Sequence, residues 1–191
     1  VILASRSVGA EASHLFSYNT YEALRRTETL EGLFASASIP MNAESDSGSE
    51  PTVTGQLVSA NYYELLGVNA ALGRTIAVTD DGPPGTPAIA VLSYGYWQRR
   101  FGGTPFVIGR VVRLNGYPFT VVGVSAAGFF GTRVGESADV TVPVSMQAQV
   151  MPSGGSLVSG PYANQFWLEL IGRTKPGLGG AGGVAELQPI F

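Results

Sequence analysis

The chain has 191 residues, enough for one large domain or two small lobes with a buried core. A net charge of -3, an isoelectric point near 5.1, and Lys and Arg scattered no more densely than at Arg99-Arg100 leave no footprint for nucleic acid. Cysteine is absent, which excludes disulfides, thiolate catalysis and Cys-based zinc sites. No run approaches the ~18 consecutive apolar residues of a membrane helix, and the N-terminus lacks the charged and apolar regions of a signal peptide. The chain by itself is therefore expected to be soluble. Its opening Val1-Ile2-Leu3, without methionine, reads as the start of an excised piece of something longer. The 26 glycines imply many short elements joined by tight turns rather than a helical bundle.

In chain order, the stretch from Ser17 to Leu33 contains the first helix, capped by Ser17 or Asn19, with Tyr21, Leu24, Leu30 and Phe34 as an imperfect apolar stripe. Glu22 and Arg26 form an i,i+4 pair on its wet side. The polar stretch from Met41 to Pro51 reads as a hairpin loop between strands near Leu33 to Ile39 and Thr52 to Val58. Its acids do not follow the alternating ligand pattern of a calcium loop. Ser59 caps a short helix, Ala60 to Leu66, closed by Gly67. The loop from Leu72-Gly73-Arg74 through Asp80-Asp81 to Gly85 is predicted to be exposed. Ala88 to Leu92 reads as a buried strand, and Ser93 caps a helix from Tyr94 to Phe101 that Gly102-Gly103 stops.

Arg110 to Val124 contains Asn115-Gly116, the strongest short signal for a type I′ turn, because both central residues need φ > 0. A two-residue turn fixes the register of the resulting β-hairpin: Leu114 opposite Tyr117, Arg113 opposite Pro118, Val112 opposite Phe119 and Val111 opposite Thr120. Leu114, Tyr117, Val112, Phe119 and Val121 share the core face, and Arg113, Pro118 and Thr120 the wet one. Pro118, without an amide donor, suggests a sheet edge there. Ser125 to Gly135 follows as a loop, then a strand from Ala138 to Val144 ending at Pro143, a helical turn from Ser145 to Met151 and a Gly/Ser-rich connector, Pro152 to Pro161. Gln165 to Lys175 is the last strand, with Phe166, Leu168 and Leu170 on one face. Ala181 to Ile190 is predicted to be helical.

Candidate chemistry is sparse. His14, the single histidine, has no neighbouring ligand or base partner, Gly-x-Ser-x-Gly is absent, and Gly177 to Gly183 lacks the Lys-Ser/Thr of a phosphate loop. The densest charged group near aromatic residues is Arg133 with Glu136 and Asp139. An Arg–carboxylate pair that holds a loop explains it, and a ligand- or partner-contact loop is the alternative.

Taken as one string, Val58-Ser59-Ala60-Asn61-Tyr62-Tyr63-Glu64-Leu65-Leu66-Gly67-Val68 with Leu72-Gly73-Arg74 resembles the periplasmic core domain of MacB-type and FtsX-like ABC transporter permeases. The resemblance continues through Ala90-Val91-Leu92-Ser93-Tyr94-Gly95-Tyr96-Trp97, Phe101-Gly102-Gly103, Ile108-Gly109-Arg110, Leu114-Asn115-Gly116 and Val121-Val122-Gly123-Val124. Phe16-Ser17-Tyr18 fits the first helix of that domain, and Gly128-Phe129-Phe130-Gly131, Val142-Pro143-Val144 and Gly172-Arg173-Thr174-Lys175-Pro176-Gly177 fit its second half. The loop Gly128-Phe129-Phe130-Gly131 with Val142-Pro143 is most similar to the duplicated permeases of acidobacteria.

The resemblance implies an α+β fold in two lobes: a porter-like βαβ lobe made of residues 1–84 and 162–191, cut short at Phe191, and a smaller inserted mixed α/β lobe, residues 85–161, that carries the hairpin. It implies an extracytoplasmic, periplasmic domain on the bacterial inner membrane, with one transmembrane helix before it and three after. A cytoplasmic ATPase would supply energy, and the domain would couple ATP-driven motion to a periplasmic partner or a transported molecule. No catalytic residue, cofactor, metal or nucleic-acid partner is implied. The full permease is expected to oligomerise and the isolated domain to be monomeric. Phe129, Phe130, Arg133 and Glu136 are the expected contact residues. The competing reading is a free-standing periplasmic hydrolase or carbohydrate-binding module using Arg133, Glu136 and Asp139 with Trp97 or Trp167.

Overall fold

The computed structural model describes residues 15–175 except 29, 47, 83, 84, 134 and 154. His14, Gly177 to Gly183 and the helix expected over Ala181 to Ile190 lie outside the described residues. The chain divides into two compact units, one made of Val1–Ala37 and Gly155–Phe191, the other of Ser38–Gly154. The division thus falls at 37/38 and 154/155, where the sequence reading puts lobe boundaries at 84/85 and 161/162. Helices and strands mix throughout, so the α+β class holds.

In the first unit, helix α1 (Tyr18–Leu24) starts at Ser17, whose Oγ accepts the Thr20 amide at 3.1 Å. That is the capping geometry expected of a serine in extended conformation. The helix is shorter than the apolar stripe suggests. Thr27 Oγ1 donates to the Leu24 carbonyl at 2.7 Å and ends it. Leu30 and Phe34 then belong not to the helix but to β1 (Leu30–Ser45). The first part of β1 pairs antiparallel with β8 (Glu169–Thr174), Ala35 opposite Leu170. Phe16 bridges to Leu168, and Phe16, Leu24, Leu168 and Leu170 are buried. Phe166, expected on this buried face, precedes the strand and is 62% exposed.

In the second unit the later part of β1 forms a long hairpin with β2 (Gly48–Val58). The polar stretch expected to be a loop is therefore mostly strand. Met41 and Ala43 are buried while Asn42 and Glu44 are exposed, so the chain keeps a period of two through its small residues. The remaining strands are β3 (Ala70–Gly73), β4 (Ile89–Leu92), β5 (Val111–Leu114), β6 (Tyr117–Ser125) and β7 (Val140–Pro143). Their pairing order is β2-β7-β4-β6-β5-β1, and since β1 also pairs with β2 the ladders close into a ring. The β2–β7 and β4–β6 pairs are parallel; β4–β7, β5–β6 and β1–β5 are antiparallel.

The hairpin forms in the predicted register, Val111 opposite Thr120 through Leu114 opposite Tyr117. Asn115 has φ 49° and Gly116 φ 84°, the paired left-handed conformations of a type I′ turn. Val112, Leu114, Phe119 and Val121 are buried, whereas Tyr117, beside the turn, remains 42% exposed and packs edge-on against Phe119. The free edge at Pro118 is local: on that side of β6 the ladder with β4 begins at Thr120.

The sequence reading makes β3 part of a loop. It lies against β6 because Gly73 and Gly123 let two backbones approach; a Cβ at Gly123 would overlap the Arg74 carbonyl. Asp80, expected in an exposed turn, is only 8% exposed, since the Arg74 guanidinium and the Ala77 amide both donate to it. Helix α2 (Tyr62–Leu66) starts at Asn61 rather than Ser59, whose Oγ donates to Asn61 Oδ1, and ends at Gly67 with φ 67°. Helix α3 (Tyr94–Phe101) has the predicted bounds, with Ser93 Oγ accepting the Tyr96 amide. Helix α4 (Gln147–Val150) closes the unit.

Candidate functional site

The loop that follows β6 is held at its start by backbone. The Ala126 amide donates to Asn69 O at 3.0 Å and the Phe129 amide to Ala126 O at 3.2 Å, a tight turn with Gly128 at φ 81°. Phe129 then turns its ring toward α2, 6.1 Å from the Tyr62 ring and 5.9 Å from that of Tyr63, which contact each other edge-on at 5.1 Å. Three rings at these separations make a favourable edge-to-face cluster. The Tyr62 hydroxyl donates to Gln56 Oε1 at 3.3 Å and also bonds the Thr132 side chain, so α2 grips the loop at two points. Burial pushes the Tyr62 phenol up to about 12, although its hydrogen bonds with Gln56 and Thr132 pull the other way. The more deeply buried Tyr63 is raised further, against a hydrogen bond with Thr141.

Beyond this anchor the chain faces water. Phe130 is 66% exposed. Arg133 Nη1 donates to Glu136 Oε1 at 3.1 Å, both side chains about half-exposed. Phe130, Gly131, Thr132, Arg133, Gly135, Glu136 and Ser137 line a shallow concavity of about 490 Å³. Of the expected contact residues the structure therefore divides an adjacent pair: Phe129 is the anchor, and Phe130 stands at the concavity with Arg133 and Glu136. An apolar ring beside a half-solvated guanidinium–carboxylate pair can offer an aromatic face, donors and an acceptor to a bound group.

Asp139 has a different task. Its Oδ1 accepts from Arg99 Nη2 at 2.9 Å and its Oδ2 from the Thr54 amide at 3.0 Å, while its own carbonyl accepts the Ser93 amide at 2.8 Å. It ties β2 to the N-terminus of α3 and to β7. Both carboxylate oxygens are engaged, so the trio of Arg133, Glu136 and Asp139 drawn from sequence proximity does not share one purpose. Trp97 Nε1 donates to the Thr104 carbonyl within the α3 region, and Trp167 belongs to the other unit.

Sequence reasoning missed a second concavity, of about 690 Å³, between the C-terminal end of α2 and the extended segment before Asp80. Tyr63, Glu64, Val68, Ile76 and Val78 are among its lining residues. The one local signal near it is Gly67, which ends α2 in the left-handed conformation. Among the described residues no group of three His, Cys, Asp or Glu side chains could hold a metal ion, and no helix is long and apolar enough to cross a membrane.

Solved structures that share the fold include the periplasmic region of MacB from Actinobacillus actinomycetemcomitans, 15% identical with TM-score 0.74 over 99% of this chain and 80% of that one. The extracellular domain of the noncanonic ABC-type transporter YknZ from Gram-positive bacteria is 19% identical with TM-score 0.64 over 86% of this chain and 75% of that one. A domain of a putative permease protein from Porphyromonas gingivalis is 15% identical with TM-score 0.66 over 98% of this chain and 82% of that one. No curated protein matches the chain. The MacB-like periplasmic core domain family matches residues 2–178, nearly the whole length, and the chain belongs to that family of extracytoplasmic domains of ABC transporter permeases.

Proposed function

We propose that this domain is a non-catalytic relay, coupling ATP-driven movement of its permease to a periplasmic partner or a transported molecule through the loop from Gly128 to Glu136. Family membership supports the relay role. The observation that carries the choice of loop is the contrast between Phe129, packed on Tyr62 and Tyr63, and Phe130, 66% exposed beside Arg133 and Glu136. A loop fixed at its root and apolar at its tip suits a protein or ligand contact. In this reading the terminal segments supply the porter-like lobe and the intervening chain the inserted one, a cytoplasmic ATPase is the energy source, the full permease oligomerises, and the isolated domain is a monomer.

The test uses the full-length permease with its ATPase in lipid nanodiscs and a photo-crosslinking residue at position 130 in intact cells. Crosslinks to an extracytoplasmic protein or to transported material, together with loss of stimulated ATP turnover in Phe130→Ala/Arg133→Ala, are the expected results. Hydrolysis of a broad substrate panel by the domain, abolished in Glu136→Gln, would instead establish the hydrolase alternative. That alternative has less support because the Asp139 carboxylate is committed to Arg99 and Thr54.

A further inference from the structure

The sequence holds six asparagines, and one of them, Asn115, precedes glycine. An Asn-Gly pair is chemically vulnerable because glycine has no side chain to hinder attack by its own amide nitrogen on the asparagine side chain. In this structure the Asn115 carboxamide is occupied at both ends. Its Oδ1 accepts the Asn42 amide at 2.8 Å, and its Nδ2 donates to the Val150 carbonyl at 2.6 Å. The Asn115 amide adds a third bond, to Asn42 O at 3.0 Å.

We infer that Asn115-Gly116 is a conditional modification site, shielded from spontaneous deamidation while the hairpin is clasped to β1 and α4 and exposed to it when that clasp opens. In the reaction the Gly116 nitrogen gives up its proton to solvent and bonds to Asn115 Cγ, closing a five-membered imide. The Cγ–Nδ2 bond breaks, and Nδ2 leaves with a proton from solvent as ammonia. Water then opens the ring at either carbonyl to give aspartate or isoaspartate. No oxidant or enzyme is required. Nδ2 is the leaving group, so the bond to Val150 must be lost before the product can form, and the carboxamide must also quit the Asn42 amide to swing toward Gly116. The rate therefore follows the fraction of molecules in which the clasp is open.

The product cannot restore the clasp. An aspartate at position 115 can still accept from Asn42, but it has no donor for the Val150 carbonyl and sets two acceptors face to face. Isoaspartate lengthens the backbone within a two-residue turn and shifts the register of β5 against β6. The modification would therefore record past opening of the hairpin and make the next opening easier.

The test is peptide mapping by mass spectrometry of the 191-residue chain aged in mildly alkaline buffer, with and without denaturing urea, reading ammonia loss and isoaspartate at position 115. Deamidation at Asn115 is expected to be slower by about tenfold or more in the folded chain than in the unfolded one; equal rates overturn the inference. Asn42→Pro removes the amide that holds Oδ1. It is expected to speed deamidation several-fold in the folded chain and to leave the rate in urea unchanged. A folded Asn42→Pro chain, verified by circular dichroism, that deamidates at the unaltered rate would show that the clasp is not the shield. If this variant does not fold, the folded-versus-unfolded comparison of the unaltered chain decides the matter.

Discussion

Asn42 and Asn115 exchange two hydrogen bonds, Asn115 N to Asn42 O and Asn42 N to Asn115 Oδ1. A turn residue thereby acts as the next rung of the β1–β5 ladder, directly beyond Ala43 opposite Leu114. It does so at φ 49°, which asparagine tolerates better than most residues. Asn115→Ala should lose both the conformational preference and the side-chain bonds to Asn42 and Val150, and cost about 2–4 kcal/mol. Asn115→Gly should cost about half as much, because it keeps the backbone preference and loses only the bonds. Urea unfolding of the two variants separates these contributions; equal costs would mean that the left-handed backbone preference contributes little and that the side-chain bonds carry the loss.

Acid stability should depend on Asp80. Burial alone would raise its carboxyl, but hydrogen bonds from Arg74 and the Ala77 amide and the charge of Arg74 prevail, and the net shift is downward. A carboxylate whose folded value lies below its unfolded one of about 3.9 contributes stability that is fully present above that value and is lost as pH falls through the folded value. Asp80→Asn should be less stable at neutral pH, with a shallower fall of stability between about pH 5 and 2. Parallel acid limbs in urea titrations of the two proteins would show that Asp80 is not the group responsible.

At the alkaline end the sign reverses. Tyr62 is pushed up to about 12, chiefly by burial, so the stability linked to its neutral form is present below the unfolded value of about 10 and is lost as pH rises through the folded one. Tyr62→Phe keeps the ring contacts with Tyr63 and Phe129 but drops the bonds to Gln56 and Thr132, at a cost of about 1 kcal/mol. Its alkaline unfolding should begin at higher pH than that of the unaltered chain once this offset is subtracted, as read by tyrosinate absorbance against circular dichroism.

The parts of the fold legible in the sequence are those whose causes are local. Asn115-Gly116 sets both the turn and the register, and Ser93 and Gly102 bracket α3 by satisfying its terminal groups within a few residues. What the sequence hid depends on distant partners. β3 is a strand because it meets β6, more than forty residues later. The extension of β1 past Met41 was masked because Ala43 carries little apolar signal although it is buried opposite Leu114. Asp139 stands near Arg133 in sequence but bonds Arg99, which α3 brings to it. The contact loop was recognisable as a unit, yet two adjacent phenylalanines look alike until Tyr62 and Tyr63 are in place.

That difference between the neighbours yields the last prediction. Phe129 lies against two tyrosine rings, so Phe129→Ala should cost about 1–3 kcal/mol, combining aromatic pairs of about 0.5–1.5 each with a partly buried apolar surface. Phe130 is 66% exposed, and Phe130→Ala should change stability by no more than about 0.5 kcal/mol. Thermal melts of both variants check the stabilities, and hydrogen exchange over residues 128–137 checks the loop. Faster exchange throughout the loop is expected in Phe129→Ala alone, because its root has been released from α2. If both variants melt alike and exchange alike, the aromatic cluster does not anchor the loop, and the exposed ring at 130 loses the fixed base from which a partner contact could work.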